Sequence, residues 1–190
     1  MCVLEWAIVS ESLRVLCVCT HNRTRSVMTA ALLLRHLVSL QVPSEVKSAG
    51  TQPGGYPAID RAVRLLAARG IDVSEHRSRP LTDHLVLGAD LIVTAERAHV
   101  VSIAGRWPAA FANTFTLPEI VSRSQGVGRD GASVAEWLEQ IGVERPGGLD
   151  YFDAQDVGEI EDPTGRQPAV WDRVFAEIDA LTNDLATVLR

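Results

Sequence analysis

Cys19 and Arg25 are the two residues whose types and spacing most clearly suggest chemistry in this chain of 190 residues. Five residues separate them, and Ser26 follows directly. Cys19 ends the short apolar run Leu13–Cys19, which is typical of a buried strand. A long apolar-rich stretch with helical spacing begins after Ser26. The sequence therefore predicts a thiol at the end of a strand, then a tight loop, then the start of a helix.

Such a loop can form a cradle for an oxyanion. Backbone N–H groups of a tight loop and of a helix N-terminus point at bound negative charge. Arg25 can hold two oxygens of a phosphate in a planar fork. The same positive field stabilises a thiolate at Cys19, and a thiolate facing a phosphoryl group is a nucleophile. We therefore expect phosphate-like oxyanions to bind the residues that follow the cysteine: Thr20, His21, Asn22, Arg23, Thr24, Arg25 and Ser26.

The same residues also allow structural interpretations. Cys19 can be a buried strand cysteine and Arg25 a surface residue. Cys17 shares a strand face with Cys19, and we expect it to be a small core residue rather than a redox partner. Cys17, Cys19 and His21 could begin a metal site, but no fourth ligand is apparent, so we expect no metal.

The spacing of apolar residues predicts strands that alternate with helices. Strands are predicted at 13–19, 45–49, 90–94 and 113–116, and helices at 27–40, 57–69, 133–141 and 169–190. Segments 122–131 and 147–162 are polar or rich in Gly and Asp, and we expect long loops there. Alternating strands and helices imply a parallel sheet, whose ligands bind beyond the carboxyl ends of the strands. Cys19 lies at such an end.

The composition is that of an ordinary globular protein and excludes several function classes. Hydrophobic residues make up 46% and charged residues 22%, with a net charge of -6. Without a dense Lys/Arg run or a long apolar stretch, we expect binding to neither nucleic acid nor membrane. Three cysteines cannot build a disulfide framework, and residues 1–10 lack the basic segment of a signal peptide. We expect a reduced, cytoplasmic protein with an extension at 1–12 and a single domain at 13–190.

The loop and several later segments resemble the low-molecular-weight protein tyrosine phosphatases, whose first strand is followed by Cys-x5-Arg-Ser. The ordered similarities are Ser-Ala-Gly-Thr at 48–51, Gly-Ile-Asp-Val-Ser at 70–74, His-Arg-Ser-Arg at 76–79, Ala-Asp-Leu-Ile-Val at 89–93 and Asp-Pro at 162–163. The resemblance implies an α/β fold, a flavodoxin-like three-layer sandwich around a four-stranded parallel sheet.

The resemblance also implies a two-step hydrolysis of phosphomonoesters through a phosphocysteine, with no cofactor. By motif position Cys19 is the nucleophile, Arg25 binds the phosphate, and Asp162 is the general acid and then the base. Glu161 is the nearest substitute for Asp162. The implied protein partner is a phosphotyrosyl protein, within the wider class of phosphomonoesters. The residues that the resemblance assigns to shaping and supporting the loop are Asn22, Ser26 and Ser48.

Four sites, two of them dipeptides, depart from the family pattern, although the loop chemistry is retained. His21 stands where the family has Gly, at a position that we expect to need a positive φ. Thr24 replaces a second loop cysteine, and Glu96 follows Ala95 where the family often has Met-Asp. Thr164-Gly165 stands after Asp162-Pro163, in place of aromatic residues that flank a phosphotyrosyl ring.

Two other functions are compatible with the loop. Arsenate closely copies phosphate, so an arsenate reductase of the same fold that uses a small-molecule thiol is an alternative. A reductase with its own downstream cysteines is excluded, because no cysteine follows Cys19. The third candidate is a non-catalytic module that binds a phosphorylated partner, although binding alone needs neither the thiol nor Asp162. For His84 and His99 we expect surface or packing roles.

Overall fold

The computed structural model describes residues 12–129 and 131–190. Within them a four-stranded parallel sheet has the order β2-β1-β3-β4. The strands are β1 (Leu13–Cys19), β2 (Ser44–Gly50), β3 (Leu91–Thr94) and β4 (Thr114–Thr116). The four predicted strands are therefore confirmed, with ends that differ from the prediction by one residue at most. In the register of the central strand, Cys19 lies opposite Gly50.

Helices connect the strands and follow the last of them. The first four are α1 (Arg25–Ser39), α2 (Asp60–Ala67), α3 (Asp83–Leu87) and α4 (Arg97–Arg106). A 3-10 helix, Pro108–Asn113, precedes β4. The remaining four are α5 (Leu117–Arg123), α6 (Val134–Ile141), α7 (Gly148–Asp153) and α8 (Pro168–Leu189). Among the described residues, no helix has both the length and the apolar character needed to cross a bilayer.

Side chains alternate along β1 and divide the core into two apolar layers. The odd-numbered residues of Leu13–Cys19 face a cluster built with α1, α5 and α8. Leu16 and Val18 face the opposite side, where they pack with Val86 of α3 and Ile103 of α4. A strand covered on both faces needs a nearly continuous apolar sequence, which this run supplies. The predicted three-layer α/β fold is confirmed.

The expected long loop over 147–162 is wrong at its beginning, where α7 forms. Tyr151 of α7 is fully buried, and its hydroxyl donates a 2.6 Å hydrogen bond to Glu119 of α5. This contact spans 32 residues, so the local sequence carries no sign of it. The loop expected from residue 122 also begins later, because α5 continues to Arg123.

The structure covers only part of the predicted domain organisation. Residues 1–11 of the expected extension lie outside the described residues. The assignment of 13–190 to a single domain stays a prediction.

Gly50 brings β2 against the loop between β1 and α1, called the anion loop below (residues 19–26). A Cβ on Gly50 would lie 2.7 Å from the Thr20 carbonyl oxygen and 2.9 Å from the Asn22 backbone nitrogen. Both atoms belong to the backbone and cannot rotate away. We expect Gly50→Ala to lower the free energy of unfolding by about 1–3 kcal/mol and phosphate affinity by roughly tenfold. Urea unfolding and phosphate titration measure the two effects.

The control for this substitution is Gly105→Ala in α4. A Cβ there meets nothing within 4 Å, so we expect unchanged phosphate affinity and equal or greater stability. Phosphate affinity in Gly50→Ala equal to that of the unsubstituted chain would contradict the predicted clash.

Candidate active site

The thiol of Cys19, the predicted nucleophile, is buried beside Ser26. Cys19 is 3% exposed, and its Sγ lies 3.1 Å from the Ser26 Oγ. The Ser26 oxygen accepts a 3.0 Å hydrogen bond from the Asn22 side-chain amide. Because that oxygen already has a donor, the Ser26 hydroxyl proton is free to point at the sulfur.

Asn22 takes the strained backbone position of the anion loop. Its φ is 52°, in the left-handed region, whereas His21 is not among the residues with positive φ. The expectation of a positive φ at His21 is therefore wrong. Asparagine visits this region more readily than most residues, because its short polar side chain can form local hydrogen bonds. Because the positive φ falls on Asn22, position 21 does not need glycine and can hold an exposed histidine.

The segment between α2 and α3 supports the anion loop from outside. His76 Nε2 donates a 2.7 Å hydrogen bond to the Asn22 carbonyl, and the Arg79 backbone N–H donates to the Asn22 side-chain oxygen at 3.1 Å. Burial lowers the pKa of His76, so its ring is neutral at pH 7 and acts here as a donor. Sequence reasoning noticed these residues only as part of a resemblance and assigned them no role.

Ser48 lies on β2 opposite Cys17, next to the strand that ends in Cys19. Its carbonyl oxygen accepts a 2.8 Å hydrogen bond from Arg79 Nε. Among the hydrogen bonds of the described residues, none joins the Ser48 hydroxyl to the anion loop. Support of the loop by Ser48 stays a prediction.

Arg25 is the point at which three distant segments meet. The side chain is 3% exposed. Its Nη1 donates to the Ile160 carbonyl at 2.9 Å and pairs with the Glu96 carboxylate, and its Nη2 donates to Asp162 Oδ2 at 3.0 Å. The Nε is a buried donor without an acceptor among the described residues. A guanidinium with a spare buried donor suits the binding of an oxyanion.

Asp162 therefore reaches the anion loop, as the sequence predicted, although its residue number differs from that of Arg25 by 137. Its other oxygen accepts from the Thr164 backbone N–H at 3.0 Å, and the side chain is 44% exposed. Just before it, the Ile160 N–H donates to the Ala95 carbonyl at the end of β3. Glu161 turns the other way and pairs with Arg173 of α8, so it does not share the position of Asp162.

Glu96 and His99 are site residues that sequence reasoning missed. Glu96 lies between β3 and α4 and neutralises Arg25, although it was noticed only as a departure from Met-Asp. Of the surface or packing role expected for His99, the surface role is wrong, because the side chain is 4% exposed. Its Nε2 lies 3.0 Å from the Thr20 hydroxyl. The signal that could have found both is their position just after β3, at the edge of the sheet where Cys19 lies.

The edge of the anion loop combines a cation with an aromatic ring. The Arg23 guanidinium lies 5.5 Å from the centroid of the Tyr56 ring, and its Nε donates to the Pro57 carbonyl at 2.8 Å. Tyr56 is 56% exposed. On another side, the hydroxyls of Thr24 and Thr164 lie 3.4 Å apart, so two departures from the family pattern contact each other. Within the described ranges, no three His, Cys, Asp or Glu side chains are grouped to hold a metal ion.

Comparison with known proteins decides the family. The profile of the low molecular weight phosphotyrosine protein phosphatases matches residues 14–130. The chain belongs to this family. The family is one of hydrolases, so the phosphatase predicted from the sequence is confirmed. None of the three similar proteins described below is named an arsenate reductase. The matched residues contain the whole anion loop, whereas Asp162 lies beyond them.

Three similar proteins illustrate the membership. A Ralstonia nicotianae protein named "Probable low molecular weight protein-tyrosine-phosphatase EpsP" is 42% identical over 106 residues, which are 56% of this chain and 71% of that protein. A protein-arginine-phosphatase of Geobacillus stearothermophilus is 38% identical over 115 residues, 60% of this chain and 74% of that protein. The crystal structure of the low molecular weight protein tyrosine phosphatase of T. tengcongensis has a TM-score of 0.69 and 30% identity, covering 92% of this chain and 97% of that one.

The burial of Cys17 has a consequence for oxidation of this phosphatase. Cys17 is fully buried, and burial, reinforced by the nearby Cys19, raises the pKa of its thiol. Cys17 therefore stays a thiol and resolves an oxidised Cys19 poorly, while Thr24 provides no sulfur. We expect peroxide to inactivate the enzyme with little recovery in dithiothreitol, because Cys19 is oxidised beyond the sulfenic acid to irreversible sulfinic and sulfonic acids. Residual activity and mass spectrometry of the Cys19 peptide measure this.

Thr24→Cys is the matched variant for the peroxide experiment. A thiol at this position can trap the sulfenic acid as a disulfide, so we expect most of its activity to return with dithiothreitol. Full recovery of the unsubstituted enzyme, together with a mapped Cys17–Cys19 bond, would show that the argument from burial is wrong.

Proposed function

We propose that this phosphatase hydrolyses phosphotyrosyl proteins through a phosphocysteine on Cys19, with Asp162 as general acid and base. The observation that carries the proposal is the convergence of the Asp162 carboxylate on Arg25, at the anion loop that begins with Cys19. A retained thiol, a buried guanidinium and a reachable carboxylate are the three groups that the reaction requires.

In the first step the Cys19 thiolate attacks the phosphorus atom. The S–P bond forms as the P–O bond to the leaving group breaks, and Asp162 gives its proton to the departing oxygen. Arg25 and the N–H groups of the anion loop hold the other phosphoryl oxygens and stabilise their charge. The Nε–H of Arg25, which has no acceptor among the described residues, is available to the incoming phosphoryl group.

In the second step a water molecule attacks the phosphocysteine. Asp162, now a carboxylate, takes a proton from that water, and the S–P bond breaks to release phosphate and the Cys19 thiolate. The Ser26 hydroxyl, 3.1 Å from the sulfur, stabilises the thiolate as it leaves.

Tyrosine is favoured over arginine by the edge of the anion loop, although relatives are named for both. The exposed Tyr56 ring offers a surface on which a phosphotyrosyl ring can pack. The guanidinium of a phosphoarginyl residue would instead meet Arg23, a juxtaposition of like charges. We also place the enzyme in the cytoplasm, because the mechanism needs a reduced thiol.

The substrate is tested with two peptides of one sequence that carry phosphotyrosine or phosphoarginine. We expect kcat/KM for phosphotyrosine to be higher by roughly tenfold or more, since one like-charge contact costs above 1 kcal/mol. Arg23→Gln should narrow the difference by raising turnover of the phosphoarginyl peptide, and Cys19→Ser should turn over neither. A higher kcat/KM for the phosphoarginyl peptide would contradict the proposed tyrosine specificity and would make the protein an arginine phosphatase.

The role of Asp162 is tested with leaving groups of different basicity. We expect Asp162→Asn to lower kcat by roughly 10²–10⁴-fold on phenyl phosphate, the usual contribution of a general acid. The loss should be smaller on nitrophenyl phosphate, because nitrophenolate leaves with less help from a proton. Glu161→Gln is the control and should retain its activity, since Glu161 pairs with Arg173. A loss in Glu161→Gln without one in Asp162→Asn would move the acid one residue earlier.

A further inference from the structure

His99 joins the anion loop to α4 in one defined tautomer. The Glu96 backbone N–H donates to His99 Nδ1 at 3.1 Å, so Nδ1 carries no proton. In the neutral ring the proton is then on Nε2, which lies 3.0 Å from the Thr20 Oγ1. His99 therefore donates to the Thr20 hydroxyl, and the opposite assignment would leave two donors facing each other at Glu96.

The surroundings keep this ring neutral. His99 is 4% exposed. Burial lowers the pKa of His99, and the Arg25 charge lowers it further, whereas Glu96, Glu159 and Asp162 oppose them without reversing the direction. The ring thus persists at neutral pH as an acceptor on one side and a donor on the other.

Thr20 and Glu96, the two hydrogen-bond partners of His99, are each directly linked to a group of the proposed reaction. Thr20 follows the nucleophile Cys19 directly, and its carbonyl accepts from the Gln52 N–H at 3.0 Å. The hydrogen bond from His99 holds the same residue from the side of β3 and α4. Glu96, the other partner, carries the carboxylate that pairs with Arg25. One imidazole therefore connects the residue beside the thiol with the residue that holds the guanidinium.

We propose that His99 is a positioning residue, which keeps Thr20 and Glu96 at a fixed separation so that Cys19 and Arg25 face the same phosphoryl group. The inference rests on the proposed function. His99 does not itself contact the sulfur or the guanidinium in the structure's hydrogen bonds; it acts through Thr20 and Glu96.

Two substitutions separate the two contacts of the ring. In His99→Asn the shorter side-chain oxygen can accept from the Glu96 N–H as Nδ1 does, but the amide nitrogen does not reach Thr20. In His99→Gln the amide nitrogen lies near the place of Nε2 and can still donate to the Thr20 hydroxyl. A role limited to the start of α4 would make Asn the better replacement, whereas positioning of Thr20 makes Gln the better one.

The experiment measures kcat and KM on nitrophenyl phosphate, and the rate of Cys19 alkylation by iodoacetate at mildly acidic pH. We expect His99→Asn and Thr20→Val each to lower kcat and the alkylation rate by roughly 3- to 10-fold, the worth of one hydrogen bond. The double variant should be no slower than either single one, because both remove the same contact. His99→Gln should lose less than His99→Asn, because it keeps the donor to Thr20 although the Glu96 N–H loses its acceptor.

The control is His84→Asn, which replaces an exposed histidine of α3 and should change neither readout. If the unsubstituted enzyme shows no phosphatase activity, the proposed function is wrong. The alkylation rate still tests the role of His99 in that case, because alkylation does not require turnover. Thr20→Val keeps His99 in place and supplies the measurement if His99→Asn does not fold. Additive losses in the double variant, unchanged rates in Thr20→Val, or better activity in His99→Asn than in His99→Gln would overturn the proposal.

Discussion

The buried guanidinium of Arg25 is the constraint on which the site depends. A buried charge is costly unless it is paired and hydrogen-bonded, and Arg25 obtains its partners from two other parts of the chain. Glu96 comes from the connection after β3, and Asp162 and the Ile160 carbonyl come from the segment before α8. The ion pair with the buried Arg25 guanidinium thus places Asp162, the predicted acid, near the loop that begins with Cys19, the predicted nucleophile. The same carboxylates and the guanidinium serve both the stability of the site and the proposed chemistry.

A second buried charge cluster anchors the long segment that delivers Asp162. Arg145 and Glu119 are both almost fully buried and joined at 2.8 Å, and the Arg145 guanidinium lies 4.0 Å from the Phe115 ring centroid and 4.1 Å from that of Phe111. Burial, with Glu119 close by, raises the pKa of Tyr151, so its hydroxyl remains a donor to Glu119. The chain that follows therefore returns to β3 from a fixed starting point.

The anion loop combines conformational strain with dense support. Asn22 has a left-handed backbone conformation, and three of its own groups are hydrogen-bonded to neighbours. The Asn22 side-chain amide donates to Ser26, the Asn22 side-chain oxygen accepts from Arg79, and the Asn22 carbonyl accepts from His76. Gly50 lets β2 approach the loop backbone more closely than any side chain would allow. A strained loop persists only when its surroundings determine it several times over. These contacts meet that condition and fix the N–H groups that would face an oxyanion.

The sequence by itself determined the strand, the loop and the helix around Cys19, because apolar periodicity and the spacing from Cys19 to Arg25 are properties of one contiguous segment. It also determined the parallel sheet, since alternating strands and helices leave few other topologies. Only the tertiary structure decided that Asn22 rather than His21 takes the positive φ, that α7 forms, and that Glu96 and His99 belong to the site. The physical reason is distance along the chain. The Thr20–His99 contact spans 79 residues and the Arg25–Glu96 contact spans 71, so no local pattern of residue types encodes them.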